Sequence, residues 1–374
     1  MGEPMWRREG SLDGLRGLAA LAVLVFHVWL YTQVDPDFHR RTGPSDHLLH
    51  ELRLGLFLFF VLSGFLLYRP WVGASLGSAP RPRLADYATR RLARIAPAYY
   101  VAMAGATVLA WAAAGTPGVV LAAPDELWRF AVFAQNLSTD TVLAVNPPSW
   151  TLAVEVAFYV LLPVAGWLAL RRAATVRAQA VVPLLLILAG LAWNAAVAGR
   201  DVPRYTTYLL PAMLPYFACG MLAAVLVHGR SLSRRMGWAL ILAGATAVVA
   251  DSVWHESTAL SLVGRTVRDL PAGAGFAAIV AAGAASAAAS RLLGARALTA
   301  LGAVSYGVYL WHVPLVWWLR SEDLVPLDLI GGLAVVLPVT LAVATASWAL
   351  VERPILRRAR ARAGQGAVDT VEVT

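Results

Sequence analysis

An arginine and a histidine lie eleven positions apart near the start of the chain, inside an otherwise apolar stretch. The stretch begins at Leu12 and runs through Arg16 to His27 and Trp29. On an α-helix, this spacing puts Arg16 and His27 on one face, about 20° and ~16 Å apart. Ionisable residues inside a membrane span are costly and are therefore functional candidates. A structural reading stays open, in which Arg16 snorkels to lipid headgroups and His27 bonds to a carbonyl.

Two further titratable residues are predicted at the depth of His27. A rise of about 1.5 Å per residue, counted from the expected helix ends, puts Glu155 ~9 Å and His27 ~10 Å below the outer face. The same count puts His312 ~20 Å from the inner face, which is the level of His27. These groups on three helices predict one polar cluster. For His312 a position in an interfacial aromatic belt is the alternative.

A second polar level is predicted nearer the cytoplasmic face. It contains Asp13, Arg16 and Ser63, together with a basic cluster formed by Arg90, Arg91 and Arg94. Arginine presents forked donors that match a phosphate group, so this level suits a phosphate-bearing ligand. The alternatives are that Asp13 only pairs with Arg16 along the helix and that the cluster only anchors the topology.

Composition sets the fold class. The chain has 374 residues, of which 59% are apolar and 14% charged, and its mean hydropathy is +0.64. These values are typical of an all-α polytopic membrane protein. About ten transmembrane helices are predicted, near residues 13–32, 52–68, 97–115, 149–170, 179–198, 206–227, 236–254, 271–290, 299–319 and 328–350. The one cysteine, Cys219, excludes an intramolecular disulfide and a cysteine-based metal site.

The arginines indicate the orientation in the cell membrane. With both termini in the cytoplasm, 21 of the 31 basic residues fall on the cytoplasmic side, as the positive-inside rule requires. The net charge of +9 is then largely a topology signal, and nucleic acid is not an expected partner. We predict a cytoplasmic segment at 1–10, a membrane domain at 11–354 and a basic, disordered tail at 355–374. Residues 116–148 are predicted to be external, with Ser149 capping the fourth span.

Two function classes fit the residues alone. Intramembrane His, Glu and Arg side chains are used by proton-coupled exporters, which relay protons through them. The same groups serve acid and base catalysis in an enzyme. No metal site is predicted, because the histidines lack metal-ligand spacing.

The order of short motifs discriminates between these classes. The segment Leu12–Gly17 followed by His27 opens the series, and Leu58–Phe65, with Ser63 and Gly64, follows it. The later motifs are Arg90–Arg94 with Pro97 and Tyr99, then Ser149–Leu152 with Glu155, Phe158, Tyr159 and Pro163, then Leu301–Gly302 with Ser305–Gly307, Tyr309–His312 and Pro314, and finally Glu352–Pro354. In this order the chain resembles the acyltransferase-3 family of integral-membrane acyltransferases over residues 11–354.

This resemblance implies transfer of an acyl group from acyl-CoA, a co-substrate and not a bound cofactor, to a hydroxyl-bearing acceptor. An envelope polysaccharide and a glycosylated natural product such as a macrolide both stay open as acceptors. The expected phosphate-binding groups are Arg90, Arg91 and Arg94, with Arg16 and Ser63 along the pantetheine path; Arg16 is also an expected catalytic residue. His27 is the expected general base, oriented by Glu155, while His312, Tyr309 or Ser149 would contact the oxyanion or the acceptor. The expected partners are therefore acyl-CoA, the acceptor and membrane lipid.

Overall fold

The computed structural model describes residues 5–32, 46–258 and 261–359, and the described residues form fourteen α-helices. These are α1 Met5–Thr32, α2 Asp46–Glu51, α3 Gly55–Ser75, α4 Leu84–Ala112, α5 Trp128–Ala131, α6 Trp150–Leu170, α7 Val176–Ala198, α8 Leu210–Val227, α9 Arg234–Thr258, α10 Leu262–Val267, α11 Leu270–Ala285, α12 Ala287–Leu293, α13 Arg296–Ser321 and α14 Leu329–Ser347. Residues 1–4 of the predicted N-terminal segment and 360–374 of the predicted tail lie outside the described residues.

The helices give a polytopic membrane protein, which confirms the predicted fold class. Nine of the ten predicted spans each coincide with one long helix, whereas the predicted span 271–290 falls on α11 and α12. Eight helices of the described ranges are long and apolar enough to cross a membrane by themselves, and a ninth is the pair formed by α10–α11 and α12, bent by 106°. The remaining long helix, α13, carries Tyr306, Tyr309 and His312. Such polar side chains lower the hydropathy of a helix whose position in the bundle is interior.

Helices α1 and α13 run parallel, side by side, through the bundle. Glycines allow their close approach: a Cβ atom at Gly17 would overlap the Leu298 carbonyl, and one at Gly302 would overlap the Asp13 carbonyl. Small residues of this kind let helix backbones approach in membranes. We call the end of the bundle where α1 begins the near end and the end where α1 stops the far end.

Helices α3 and α8 form a second close pair. A Cβ atom at Gly64 would overlap the Phe217 carbonyl, and one at Gly220 would overlap the Val61 carbonyl. Phe60 and Phe217 stack beside this contact, with ring centroids 4.6 Å apart. The contact turns the preceding residue, Ser63, toward the interior of the bundle, where it lines a cavity.

The connection between α4 and α6 folds back against the far end. Val142, Ala144 and Asn146 are almost fully buried, and the Asn146 side chain donates a 2.9 Å hydrogen bond to the Leu310 carbonyl of α13. A 3-10 turn at Pro147–Ser149 then leads into α6. Helix α6 therefore begins inside the bundle, at the level of Leu310, and not at its outer edge.

Candidate functional site

His27 and His312 form a pair between α1 and α13. The Nδ1 atom of His27 lies 3.1 Å from Nε2 of His312 and 2.9 Å from the Val23 carbonyl. Nδ1 of His312 lies 3.0 Å from the Val308 carbonyl. His312 is fully buried, whereas His27 is half-buried and lines a cavity.

These contacts determine the tautomers of the neutral pair. A nitrogen that faces a carbonyl oxygen must carry a proton, so Nδ1 of His312 donates to Val308 and its Nε2 is a lone-pair acceptor. Nδ1 of His27 faces two acceptors, the Val23 carbonyl and Nε2 of His312, and therefore also carries a proton. The remaining nitrogen, Nε2 of His27, has the lone pair that a general base needs.

The cavity beside His27, which we call the wide cavity, has a volume of about 450 Å³. Residues of α1 and α3 line it, together with Leu143, Pro147 and Pro148 of the folded-back connection. Its polar lining residues are His27, Tyr31, His50, Arg53, Arg204, Tyr208, Arg268 and Tyr309. Because the folded-back connection forms part of its wall, the wide cavity lies toward the far end of the bundle.

A second cavity, which we call the narrow cavity, has a volume of about 90 Å³ and lies toward the near end. Its polar lining residues are Arg16, Ser63, Arg91, Arg94, Thr151, Glu155, Tyr159, Ser305, Tyr306 and Tyr309. Glu155 is the centre of a hydrogen-bond network, because its Oε1 accepts from Ser63 at 2.7 Å and from Tyr159 at 2.7 Å. Arg16 pairs with Asp13 at 3.0 Å.

Tyr309 and Leu56 line both cavities and mark where these adjoin. The Tyr309 hydroxyl lies 2.8 Å from the Thr151 hydroxyl and 3.2 Å from the Pro148 carbonyl. Its ring is 5.8 Å from the His312 ring. Tyr309 is therefore the polar side chain at the junction of the two cavities.

The structure does not place Glu155 beside His27 as the sequence predicted. The polar partners of His27 are Val23 and His312, whereas Glu155 binds Ser63 and Tyr159. The predicted depth assumed that α6 starts at the membrane edge. Helix α6 starts at the level of Leu310, and Glu155 lies about 8 Å from that level toward the near end. Glu155 therefore joins the level of Arg16 and Ser63.

His312 is also placed differently from the prediction of an oxyanion donor. Both of its ring nitrogens are engaged, one by Val308 and the other by His27. Its full burial also excludes the interfacial aromatic-belt alternative. His312 thus occupies the position beside the imidazole of His27 that the sequence assigned to Glu155.

The predicted arginine cluster divides into two parts. Arg91 and Arg94 line the narrow cavity, and their guanidinium groups lie over the rings of Tyr159 and Tyr306 at 5.9 and 5.7 Å. Arg90 is exposed and does not belong to that lining. The geometry of helix α4 produces this division, because successive residues of an α-helix point in directions about 100° apart.

Ser149 does not cap α6 through its side chain. Its hydroxyl is buried and has no hydrogen-bond partner among the described residues, while its carbonyl accepts from Gln135 at 3.1 Å. Ser149 lines neither the narrow nor the wide cavity. Contact with an oxyanion or an acceptor is therefore not supported for this residue.

Several polar residues that line the two cavities were not predicted from the sequence to be site residues. Tyr159 and Tyr306 were visible as motif positions but had no assigned role. Arg53, Arg204 and Arg268 were visible only as arginines on the side of the membrane where the positive-inside rule expects few. Within the described part of the chain, no group of three or more His, Cys, Asp or Glu side chains is arranged to hold a metal ion.

The chain is similar to known proteins over most of its length. A family model described as "Acyltransferase domain" matches residues 9–351. The chain is 30% identical over 319 residues to the Exopolysaccharide production protein ExoZ of Rhizobium meliloti (strain 1021), covering 82% of this chain and 90% of that protein. It is 25% identical over 374 residues to Nodulation protein 10 of Rhizobium leguminosarum bv. viciae, covering 93% and 94%.

A third similarity is to a protein of a different bacterial group. The chain is 33% identical over 177 residues to Acyltransferase MdmB of Streptomyces mycarofaciens, which covers 46% of this chain and 42% of that protein. No solved structure matches the chain.

Proposed function

The chain belongs to the acyltransferase-3 family, and from this premise we propose that it transfers an acyl group from acyl-CoA to a hydroxyl group of a sugar-containing acceptor. An acyltransferase of this family needs an acyl donor, and the exporter alternative has no comparable support. The observation that carries the proposal is the junction at Tyr309. There a cavity lined by arginines adjoins a larger cavity lined by a histidine.

The acyl donor is assigned to the narrow cavity. Arg91 and Arg94 are the groups that would hold the phosphates of CoA, because arginine binds phosphate in a bidentate geometry. The thin pantetheine arm suits the small volume of this cavity, where it would pass Arg16 and Ser63. The thioester would then reach Tyr309. Arg90, being exposed, is assigned at most a weak electrostatic contribution.

The acceptor is assigned to the wide cavity, beside His27. Nε2 of His27 takes the proton of the acceptor hydroxyl while the oxygen attacks the thioester carbonyl. The tetrahedral intermediate collapses with cleavage of the C–S bond, and the imidazolium returns its proton to the leaving thiolate, which releases free CoA. His312 is a positioning residue, since it holds the proton of His27 on Nδ1.

Tyr309 is the group that would stabilise the oxyanion. Its hydroxyl would exchange the Thr151 oxygen, 2.8 Å away, for the carbonyl oxygen of the thioester. Preorganised donors of this kind contribute about 10²- to 10³-fold to turnover. Glu155 fixes Ser63 and Tyr159 on the wall of the narrow cavity and is a positioning residue there.

The near end is assigned to the cytoplasm, with both termini on that side. The support is that Arg91 and Arg94 lie toward this end, and that arginines are concentrated in its connecting segments as the positive-inside rule requires. Acyl-CoA would therefore enter from the cytoplasm. The acceptor candidates are a polysaccharide, in line with the name of the exopolysaccharide production protein of Rhizobium meliloti, and a glycosylated natural product.

The test is acyl transfer by the purified full-length protein in detergent. Acetyl-, propionyl- and longer acyl-CoA are supplied separately with alkyl glycosides as acceptors, and both free thiol and the mass of the acylated glycoside are measured. We expect turnover by the wild type and a loss of about 10²- to 10⁴-fold in His27→Ala, the range for a general base.

The matched control is His228→Ala, which removes a histidine that bonds to Ser78 outside both cavities. We expect this variant to retain wild-type turnover. Equal turnover by wild type and His27→Ala would contradict the role of His27. Absence of thiol release with every donor would contradict transfer from acyl-CoA to a glycoside hydroxyl.

A further inference from the structure

The wide cavity has more positive charge than transfer to a neutral hydroxyl requires. Three arginines line it, Arg53, Arg204 and Arg268, and no Asp or Glu side chain of the described residues belongs to the lining. Charged side chains are expensive in a membrane protein interior and usually pair with one another; this applies to the half-buried Arg53 and Arg268, whereas Arg204 is exposed. Each of the three arginines therefore adds net positive charge to the cavity only if it has no carboxylate partner.

Arg53 is already neutralised. It binds both carboxylate oxygens of Asp269, at 2.8 and 3.0 Å, and also binds Glu51 at 3.1 Å. A bidentate pair of this type is among the strongest hydrogen-bonded contacts in proteins. Arg53 therefore contributes little net charge to the cavity, and its function is to hold Asp269.

Arg268 is the residue next to Asp269, yet it does not share that carboxylate. Both residues have positive φ angles, 27° for Arg268 and 40° for Asp269. Side chains other than glycine adopt this region at a cost, and such strain is concentrated at functional sites. The Tyr216 hydroxyl holds the turn by donating to the Arg268 carbonyl at 2.8 Å. As a result Asp269 is buried against Arg53, and Arg268 lines the cavity.

Arg204 comes from a neighbouring segment. A guanidinium nitrogen of Arg268 donates to the Thr207 carbonyl at 3.3 Å, which joins the Arg268 turn to the 3-10 helix Arg204–Tyr208. Arg204 lies at the start of that helix, with its guanidinium 6.0 Å from the Tyr208 ring. No carboxylate of the described residues forms an ion pair with Arg204 or Arg268.

We propose that Arg204 and Arg268 bind an anionic substituent, a carboxylate or a phosphate, on the sugar-containing acceptor. The inference rests on the proposed function in placing the acceptor in the wide cavity. Arginine presents two parallel donors to either anion, and the strained turn keeps one guanidinium directed into the cavity instead of onto Asp269. The aromatic rings of Trp150 and Tyr208, 4.9 Å apart and perpendicular, supply apolar wall beside these cations.

The test measures binding without chemistry, so that it does not depend on acyl transfer. Glucuronate, glucose 6-phosphate and glucose, which differ in one substituent, are titrated separately onto the full-length protein in detergent and followed by saturation-transfer NMR without acyl-CoA. We expect glucuronate or glucose 6-phosphate to bind about tenfold tighter than glucose, as one charge-assisted contact predicts. The tighter of the two identifies the substituent.

Variants separate the site from general surface charge. We expect R204Q and R268Q each to lose most of the preference for the anionic sugar. R204Q is the safer variant for folding because Arg204 is exposed. The matched control is R200Q, which removes another exposed arginine outside this cavity and should keep the preference. Equal binding of glucose and both anionic sugars to the wild type would overturn the proposal, as would a preference that survives in both R204Q and R268Q.

The result is distinguishable from a failure of the proposed function. A protein that prefers the anionic sugar but releases no thiol from any acyl-CoA contradicts the donor and supports the anion site. A protein that acylates alkyl glycosides without any preference between glucuronate, glucose 6-phosphate and glucose overturns the anion site and supports the acyl transfer.

Discussion

The narrow and wide cavities both contain arginine, but Arg94 of the narrow cavity and Arg268 of the wide cavity are in different electrostatic situations. In the narrow cavity, Arg16 pairs with Asp13 at 3.0 Å, and Arg94 lies 3.8 Å from the buried carboxylate of Glu352. In the wide cavity, Arg268 donates to a backbone carbonyl, and the neighbouring Asp269 forms an ion pair with Arg53.

This difference has a consequence for the two ligands. A phosphate that binds Arg94 competes with Glu352, which lowers its affinity and favours release. A donor whose spent form must leave after each turnover benefits from such competition. An anion that binds Arg268 meets no competing carboxylate of the described residues, so the wide cavity is suited to selecting its ligand by charge.

After His27→Ala, the largest effect is expected at the junction of the cavities. Tyr309→Phe removes the hydroxyl that contacts Thr151 and Pro148 while keeping the ring. We expect kcat to fall by about 10² to 10³, the loss typical of one oxyanion donor, with the KM of both substrates nearly unchanged. Steady-state kinetics of thiol release measures this. A matched control is Tyr100→Phe, which removes an exposed hydroxyl bonded to Ala131. Wild-type kcat in Tyr309→Phe would contradict the role of the junction.

The arginines of the narrow cavity are expected to act on donor binding. Arg94→Gln or Arg91→Gln should raise the KM for acyl-CoA by about tenfold or more, since each removes a charge-assisted contact to phosphate. Arg90→Gln is the control, because Arg90 is exposed and outside the cavity lining.

A thioester without phosphates sharpens this prediction. With an acyl-N-acetylcysteamine donor, the wild type and Arg94→Gln should have the same KM, because the missing phosphates leave nothing for Arg94 to bind. A defect of the same size with both donors would mean that Arg94 acts on the fold and not on the phosphates.

A smaller effect is expected from the residue that holds His27. In His312→Ala, Nδ1 of His27 keeps the Val23 carbonyl as an acceptor but loses the acceptor 3.1 Å away. The ring of His27 is then held by one contact instead of two, and we expect kcat to fall about tenfold. His312→Gln offers an amide oxygen at a similar reach and should recover most of this loss. The measurement is kcat against KM for both variants; equal kcat in His312→Ala and His312→Gln would contradict a positioning role.

The motif residues separate into two physical groups once the structure is known. Gly14, Gly64 and Gly302 are required because the opposing helix backbone leaves no room for a Cβ atom. Arg16, Ser63 and His27 line the cavities that these contacts create. The sequence presented glycines and polar residues together in each motif. Only the helix contacts reveal that the glycines allow the close packing that forms the cavities, and that the polar residues line these cavities.

The sequence by itself determined the membrane class, nine of the ten predicted long helices and the common face of Arg16 and His27, because these depend on composition and on the fixed geometry of one helix. The predicted span 271–290 is instead divided between α11 and α12, which are bent relative to each other. Depth across different helices was determined for only one of the two residues compared with His27: the count put His312 at the level of His27, where the structure has it. It depends on where each helix begins within the bundle, and the folded-back connection before α6 moved Glu155 from the level of His27 to that of Ser63. The ring nitrogens through which His27 and His312 contact each other, and the separation of Arg268 from Asp269, likewise follow from helix contacts and a strained turn, which no local pattern of residues specifies.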